Sequence, residues 1–395
     1  MSCILILALS LSSSQAASTA GADAATVPFE LDHNRVLVQV GSAGAPAGDV
    51  SLRVWVDTGN PELWMTSAAA KRMGLDPVAT KGAAPLALVL GRLKVTLDTA
   101  WPPRVVDGAR LGPGLDADIN LPSTVLRRYD LLIDFPARSL RLTAPGRAPL
   151  PGQRVAARVN RENGLVHVRA RVDGVGPCEL GVDIGATVSL LSSELLASTM
   201  HKHPRWPHLH GGVSTANMWG SAEEATWPLV RVPAVRLAGR ALTGVLFAPL
   251  SAELMPSVEE RAAGPIAGLL GSAALLDRSL GVSWASESIY LGRPTPMRGQ
   301  VRDMDVVGLV LSPEPDGRFR VVSVPAVGRH PAVPRVRPGD VLTAVDSRPV
   351  QGLGMGAVWG LLRGRPGTPR RLQIERDGMP FEVVATVRHF LGGSR

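Results

Sequence analysis

A mostly β protein, built as two similar halves followed by a smaller β domain, is the expected product of this chain. Three observations lead there. First, short segments of alternating apolar and polar residues are broken by frequent Gly and Pro, 42 and 33 of 395 residues, with few long amphipathic runs. Second, an apolar strand running into Asp-x-Gly occurs twice. The copies are Val54-Trp55-Val56-Asp57-Thr58-Gly59 and Leu180-Gly181-Val182-Asp183-Ile184-Gly185. Third, Val125–Leu142 superposes on Ala274–Leu291, with matched apolar positions at Leu131/Leu280, Ile133/Val282, Phe135/Trp284, Leu140/Ile289 and Leu142/Leu291.

Composition narrows the class. Hydrophobic residues make up 45% and charged residues 19%, which is globular, and the chain is long enough for more than one full core. The net charge of +8 is scattered, with no Lys/Arg block and no interleaved aromatics, so no nucleic-acid partner is expected. Residues 1–26 read as a signal peptide with an apolar Ile4–Leu11 stretch too short to span a bilayer, which implies export to the periplasm or beyond. No other stretch reaches transmembrane length. Loss of Cys3 with the leader would leave Cys178 alone, so no internal disulfide is expected.

Along the chain, Arg35–Val40 and Val50–Val56 read as strands joined by a Gly/Ala/Pro hairpin loop at 41–48. Thr66–Leu75 reads as a short helix stopped at Gly74. Strands follow at 86–90, 93–98, 131–135 and 139–143. The closing segments lie further apart than the Asp motifs, so the second half carries extra length. Met200–Pro228, rich in His, Trp and Gly, is the candidate for it. Gly292–Val301 has linker composition. Beyond it come strands around 308–311 and 318–324, an amphipathic helix near 354–363, and two strands within 371–384.

The residue types of the Asp motifs suit one chemistry. An apolar strand buries each carboxylate, and the Gly after it permits close approach of a partner loop. Two carboxylates a few ångströms apart cannot both ionise, so they share a proton. One then acts as base toward water while the other protonates a carbonyl oxygen.

On these residues the chain resembles the aspartic peptidases. Asp57-Thr58-Gly59-Asn60-Pro61-Glu62-Leu63-Trp64 is similar to the first active-site stretch of pepsin-like enzymes, and Val182-Asp183-Ile184-Gly185-Ala186-Thr187 to the retropepsin version. Leu269-Leu270-Gly271 matches the family's apolar-apolar-Gly element, whereas the first half has Ile119-Asn120-Leu121-Pro122 there. The resemblance implies two retropepsin-like β-barrel lobes related by pseudo-two-fold symmetry. It makes Asp57 and Asp183 the catalytic pair, with Thr58, Gly59, Ile184 and Gly185 shaping their loops. Ile184 stands where the family has Thr or Ser, which is expected to leave the Thr58 hydroxyl short of a partner. The family's flap tyrosine is missing, since Tyr129 and Tyr290 both fall in the closing segments. Trp219 or Trp227, from the extra length, is the expected cover.

Val336-Arg337-Pro338-Gly339-Asp340-Val341 resembles the bacterial PDZ pattern, with Gly308-Leu309-Val310-Leu311 where that family binds a peptide carboxylate. Four of the eight histidines, His201, His203, His208 and His210, cluster in a segment read as a solvated loop rather than a metal site.

The resulting expectation is a leader at 1–26, a first lobe at 27–150, a second at 151–292, a linker at 293–302 and a PDZ-like domain at 303–390. The function it implies is an exported, monomeric aspartic endopeptidase acting on polypeptides without metal or organic cofactor. A peptide C-terminus would be the ligand of the PDZ domain. The alternative is an inactive pseudo-peptidase that binds polypeptides.

Overall fold

The computed structural model describes residues 23–42, 51–75, 86–97, 103–112, 114–262, 264–296 and 303–392. Residues 1–22 of the expected leader, the 43–48 loop, Trp101 and residues 297–302 of the expected linker lie outside the described residues. The protein is mostly β, with a large composite sheet and a separate six-stranded sheet beyond residue 303. No described helix is long and apolar enough to cross a membrane.

The repeated closing segments form the centre. Asp130–Asp134 and Ser139–Thr143 make one hairpin, and Ser279–Ser283 and Ser288–Leu291 make the other. The two hairpins pair antiparallel with each other, Leu131 opposite Val282 and Ile133 opposite Leu280. Ala24–Asp32 adds outside the first hairpin and Gln153–Val159 outside the second. Each half thus contributes three strands in the same order. Period-2 alternation explains why this sheet is buried on one face. Leu131, Ile133, Leu140, Leu142, Leu280 and Ile289 are all fully buried in a core cluster drawn from both halves.

Each outer strand then turns back through a hairpin and leads to an Asp. Arg35–Ser42 pairs with Ser51–Val56, which ends at Asp57. Val166–Val172 pairs with Gly176–Asp183. Behind each Asp strand lies a parallel neighbour, Ile119–Leu121 in the first half and Gly268–Gly271 in the second. Asn120-Leu121-Pro122 therefore occupies the same place as Leu269-Leu270-Gly271, despite its different sequence.

The six-stranded sheet is built from Val310–Pro313, Phe319–Ser323, Val341–Val345, Arg348–Pro349, Pro369–Arg376 and Met379–Thr386. The helix Met355–Leu362 packs Met355, Val358, Trp359 and Leu362 into it, all fully buried. Asp340 is buried by a two-point pair with Arg376 and accepts the Arg337 N–H at 2.9 Å, which fixes the Arg-Pro-Gly-Asp turn. This core does not stop at the sheet. It continues through Val213, Ala216, Met218, Leu229 and Leu246 of the second half.

The extra length in the second half is partly regular. Ser192 caps a helix over Ser193–Lys202, accepting the Leu195 N–H at 3.3 Å, and Pro204 lies just past its end. His201 is therefore helical, and His208 and His210 lie on the strand His208–His210, where a loop was expected. His203 stacks on Trp206 with ring centroids 4.0 Å apart. Among the described residues no group of three or more His, Cys, Asp or Glu is placed to hold a metal ion.

Candidate active site

The two Asp loops interlock. A Cβ on Gly59 would collide with the carboxyl carbon and both oxygens of Asp183. A Cβ on Gly185 would collide with the Asp57 carboxyl and, at 2.8 Å, with the Trp55 ring. Only glycine admits such an approach, so each carboxylate rests against the other loop's glycine.

Thr58 ties the loops together. Its hydroxyl donates to the Val182 carbonyl at 2.9 Å and accepts the Ile184 N–H at 3.0 Å. The expectation that Ile184 would leave Thr58 short of a partner is corrected here. The backbone N–H of Ile184 supplies what its side chain lacks, and the Ile side chain is fully buried.

The backs of the loops differ between halves. In the second, Gly271 lies against the Ala186 and Val188 carbonyls, its N–H donates to Ser189 Oγ at 3.1 Å, and Ser272 Oγ donates to the Ile184 carbonyl at 2.7 Å. In the first, Pro122 stands at the place of Gly271, and the fully buried Asn120, at the place of Leu269, adds hydrogen bonds. It accepts the Trp64 N–H at 2.6 Å and donates to the Glu62 carbonyl at 2.9 Å. Ser123 and Thr124 reach the Asn60 and Pro61 carbonyls.

Both carboxyl groups are held above the ordinary range. For Asp57, 2% exposed, burial is the first cause and the Asp183 charge the second, opposed by the Gly59 and Asn60 N–H groups and by Arg35. Asp183 is pushed up to about 6 by burial, opposed by the Ala186 and Gly185 N–H groups and Arg35. Two such neighbours favour a state with one shared proton.

Arg35 had no signal in the sequence beyond its place at the start of an apolar strand. It is fully buried, and its Nη2 donates to the Met218 carbonyl at 2.6 Å. Its Nε and Nη1 find no partner among the described residues. Burial lowers it to about 10, while the charges of Asp32, Glu224, Asp57 and Asp183 hold it up.

Trp219 covers this side of the site. It lies edge-on to Trp55 at 6.3 Å, and the Arg35 guanidinium sits 4.5 Å above its ring. Trp227 does not reach the site and packs against the core of the six-stranded sheet. Glu224, fully buried, accepts the Trp219 and Gly220 N–H groups and the Asn217 amide, and burial pushes it up to about 7.

Space beside the dyad is small. A cavity of about 40 Å3 borders Asp183 and Gly59, walled by Leu165, Val166, Val258, Ile266 and Leu269. A wider groove of about 580 Å3 shares Arg261 with it and runs past Pro61, Glu62, Asn160 and Glu260. The small cavity has room for a water.

The Gly308–Leu311 segment lies apart from the dyad. Leu309, Val310 and Leu311 are fully buried, Gly308 packs on Phe390 and Ala332, and the Leu311 N–H donates to the Asn217 side chain at 2.9 Å. No protein-family model matches this chain, and no curated protein matches it by sequence.

Proposed function

We propose that this protein is an aspartic endopeptidase, with Asp57 and Asp183 as its catalytic pair. The observation that carries the reading is the interlock, in which each carboxyl faces the glycine of the opposite loop and Thr58 bridges the two. One carboxylate, ionised, takes a proton from a water held between the pair. The other, protonated, donates to the scissile carbonyl oxygen. Water adds to the carbonyl carbon to give a tetrahedral intermediate. Its collapse breaks the C–N bond as the amine takes a proton from the dyad.

Thr58, Gly59 and Gly185 hold the geometry, and the backbone of Ile184 completes the tether. The apolar wall of Leu165, Val166, Val258 and Ile266 suits an apolar substrate side chain next to the scissile bond. The halves 27–150 and 151–292 are read as retropepsin-like lobes, and 303–390 as a PDZ-like domain. Export follows from the leader pattern.

The departure of Asn120-Leu121-Pro122 from the apolar-apolar-Gly pattern favours a second reading, a pseudo-peptidase that binds polypeptides without cutting them. Cleavage of unfolded casein across pH 3–8 by wild type, Asp57→Asn and Asp183→Asn separates the two. Cleavage lost in both variants supports the enzyme. No wild-type cleavage together with retained polypeptide binding supports the alternative.

A further inference from the structure

The expected peptide groove of the six-stranded sheet already has an occupant. Among the described residues Val310–Pro313 is an edge strand, paired with Phe319–Ser323 alone. Its Leu311 N–H is taken by Asn217. Around that bond the segment is fastened at several further points. Ser214 Oγ donates to the Asp303 carbonyl and accepts from Arg363 Nε and Nη2 at 3.1 and 3.0 Å. Thr215 Oγ1 donates to Asp303 Oδ2 at 3.2 Å. Gly220 fits against Pro313 and Met355, and Gly211 against Pro325 and Val310. Ser214 holds φ +52°, a left-handed conformation that a non-glycine residue keeps only when its surroundings impose it.

On their other side the same few residues meet the first half beside the Asp57 strand. The Asn217 carbonyl meets His33 Nε2 at 3.0 Å, the Met218 carbonyl takes Arg35 Nη2, and the Trp219 ring lies on Trp55 and under Arg35. One short stretch therefore spans from the C-terminal sheet edge to Trp55 and Arg35, beside the Asp57 and Asp183 carboxyls.

The C-terminal sheet also grips the first half directly. Asn34 Nδ2 donates to Asp303 Oδ2 at 2.5 Å, and Arg110 Nη1 to the Leu353 carbonyl at 3.0 Å. His33 stacks on Trp359 at 6.4 Å. All of these contacts join the C-terminal sheet to the halves that carry Asp57 and Asp183.

We propose that the C-terminal sheet is a clamp in cis: its Val310–Pro313 edge takes the chain's own 214–220 segment as partner, holds Trp219 over the dyad, and so restrains cleavage until that segment detaches. The occupant is visible in the structure, so the proposal concerns what its release does. An extended polypeptide end adding to the same edge would have to displace Asn217 from Leu311, which couples occupancy of one groove to opening of the other. The restraint on cleavage rests on the peptidase reading above, whereas the docking does not.

Two variants of the full chain test it, Asn217→Ala and Asp303→Ala, each read by hydrogen exchange and by casein cleavage. The expected result is exchange of the 211–227 amides at least 10-fold faster, unchanged exchange in Ser51–Val56 and Gly176–Asp183, and cleavage raised at least 5-fold. Unchanged exchange at 211–227 in both variants overturns the clamp. Faster exchange with reduced cleavage also overturns it, because the segment would then be a cover that catalysis needs. If exchange accelerates and neither wild type nor variant cleaves, docking stands and the peptidase reading falls. Should circular dichroism show Asn217→Ala misfolded, Asp303→Ala decides, since it leaves the buried Glu224 contacts in place.

Discussion

Replacing Thr58 with Val removes one hydroxyl and keeps the side-chain shape. In the structure that hydroxyl is the sole side-chain bridge between residues 58 and 182–184, donating to the Val182 carbonyl and accepting the Ile184 N–H. Thr58 is 1% exposed, so water cannot easily replace it. Valine would leave one carbonyl and one N–H buried without a partner, each costing about 1–3 kcal/mol, for a total of roughly 2–6 kcal/mol. No cavity forms, so the loss reports on the bridge itself. Guanidinium unfolding of wild type, Thr58→Val and Thr58→Ser measures it. Thr58→Ser keeps both bonds, and its loss of one methyl should cost only about 1 kcal/mol. Casein cleavage should fall steeply in Thr58→Val and remain substantial in Thr58→Ser. A Thr58→Val protein as stable as Thr58→Ser would refute the argument that this hydroxyl joins the two loops.

Other outcomes follow from the same contacts. Gly59→Ala and Gly185→Ala should each abolish cleavage, because their Cβ atoms enter the opposite carboxyl group; an active, folded Gly59→Ala protein would contradict the interlock. Asp183 is held at about 6 and Glu224 at about 7, above their ordinary 3.8 and 4.5, so the stability they contribute is full below about pH 4 and is lost as pH rises through those values. Melting temperature should therefore fall across about pH 4–7, and Asp183→Asn should flatten the part near pH 6. Arg35→Met should move the alkaline limit of cleavage upward, since the guanidinium lowers both dyad values, and should change Trp219 fluorescence. Leu280→Ala, in the sheet shared by the halves, should cost about 2–5 kcal/mol by urea unfolding while sparing the Met355–Leu362 core.

The parts of this molecule that were legible in the sequence are those fixed by local pattern. Alternation marked the strands that carry Asp57 and Asp183, and matched apolar positions placed Leu131 over Leu280 and Leu140 over Ile289 before their pairing was known. The short helix after Thr66 and the one at Met355–Leu362 were readable for the same reason. Residues whose importance comes from distant packing gave no such signal. Arg35 looks like an ordinary strand residue until Met218 and Trp219 fold over it. Asn217 and Glu224 sit in a stretch without periodicity, and their roles depend on the arrival of Leu311 and of the first half. Ile184 carries no sequence signal of its bond to Thr58, because a backbone N–H does the work of a hydroxyl there. Asn120 likewise stands where the second half has Leu269, and its hydrogen bonds to Trp64 and Glu62 form only when the chain folds back on it. The prolines of the histidine-rich stretch give it the pattern of a loop, yet Ser192 starts a helix that carries through His201 and Lys202.

The central claim is that Asp57 and Asp183 behave as one titrating unit. Carbon-13 NMR of labelled Asp carboxyls, followed from about pH 2 to 9 in wild type and in each Asp→Asn variant, tests it most directly. The account predicts two coupled steps: the first proton leaves in the acid range, the second is retained to about pH 6 or above, and either substitution collapses the pair to a single altered step. Two independent titrations near 4, each untouched by removal of the other carboxyl, would contradict it.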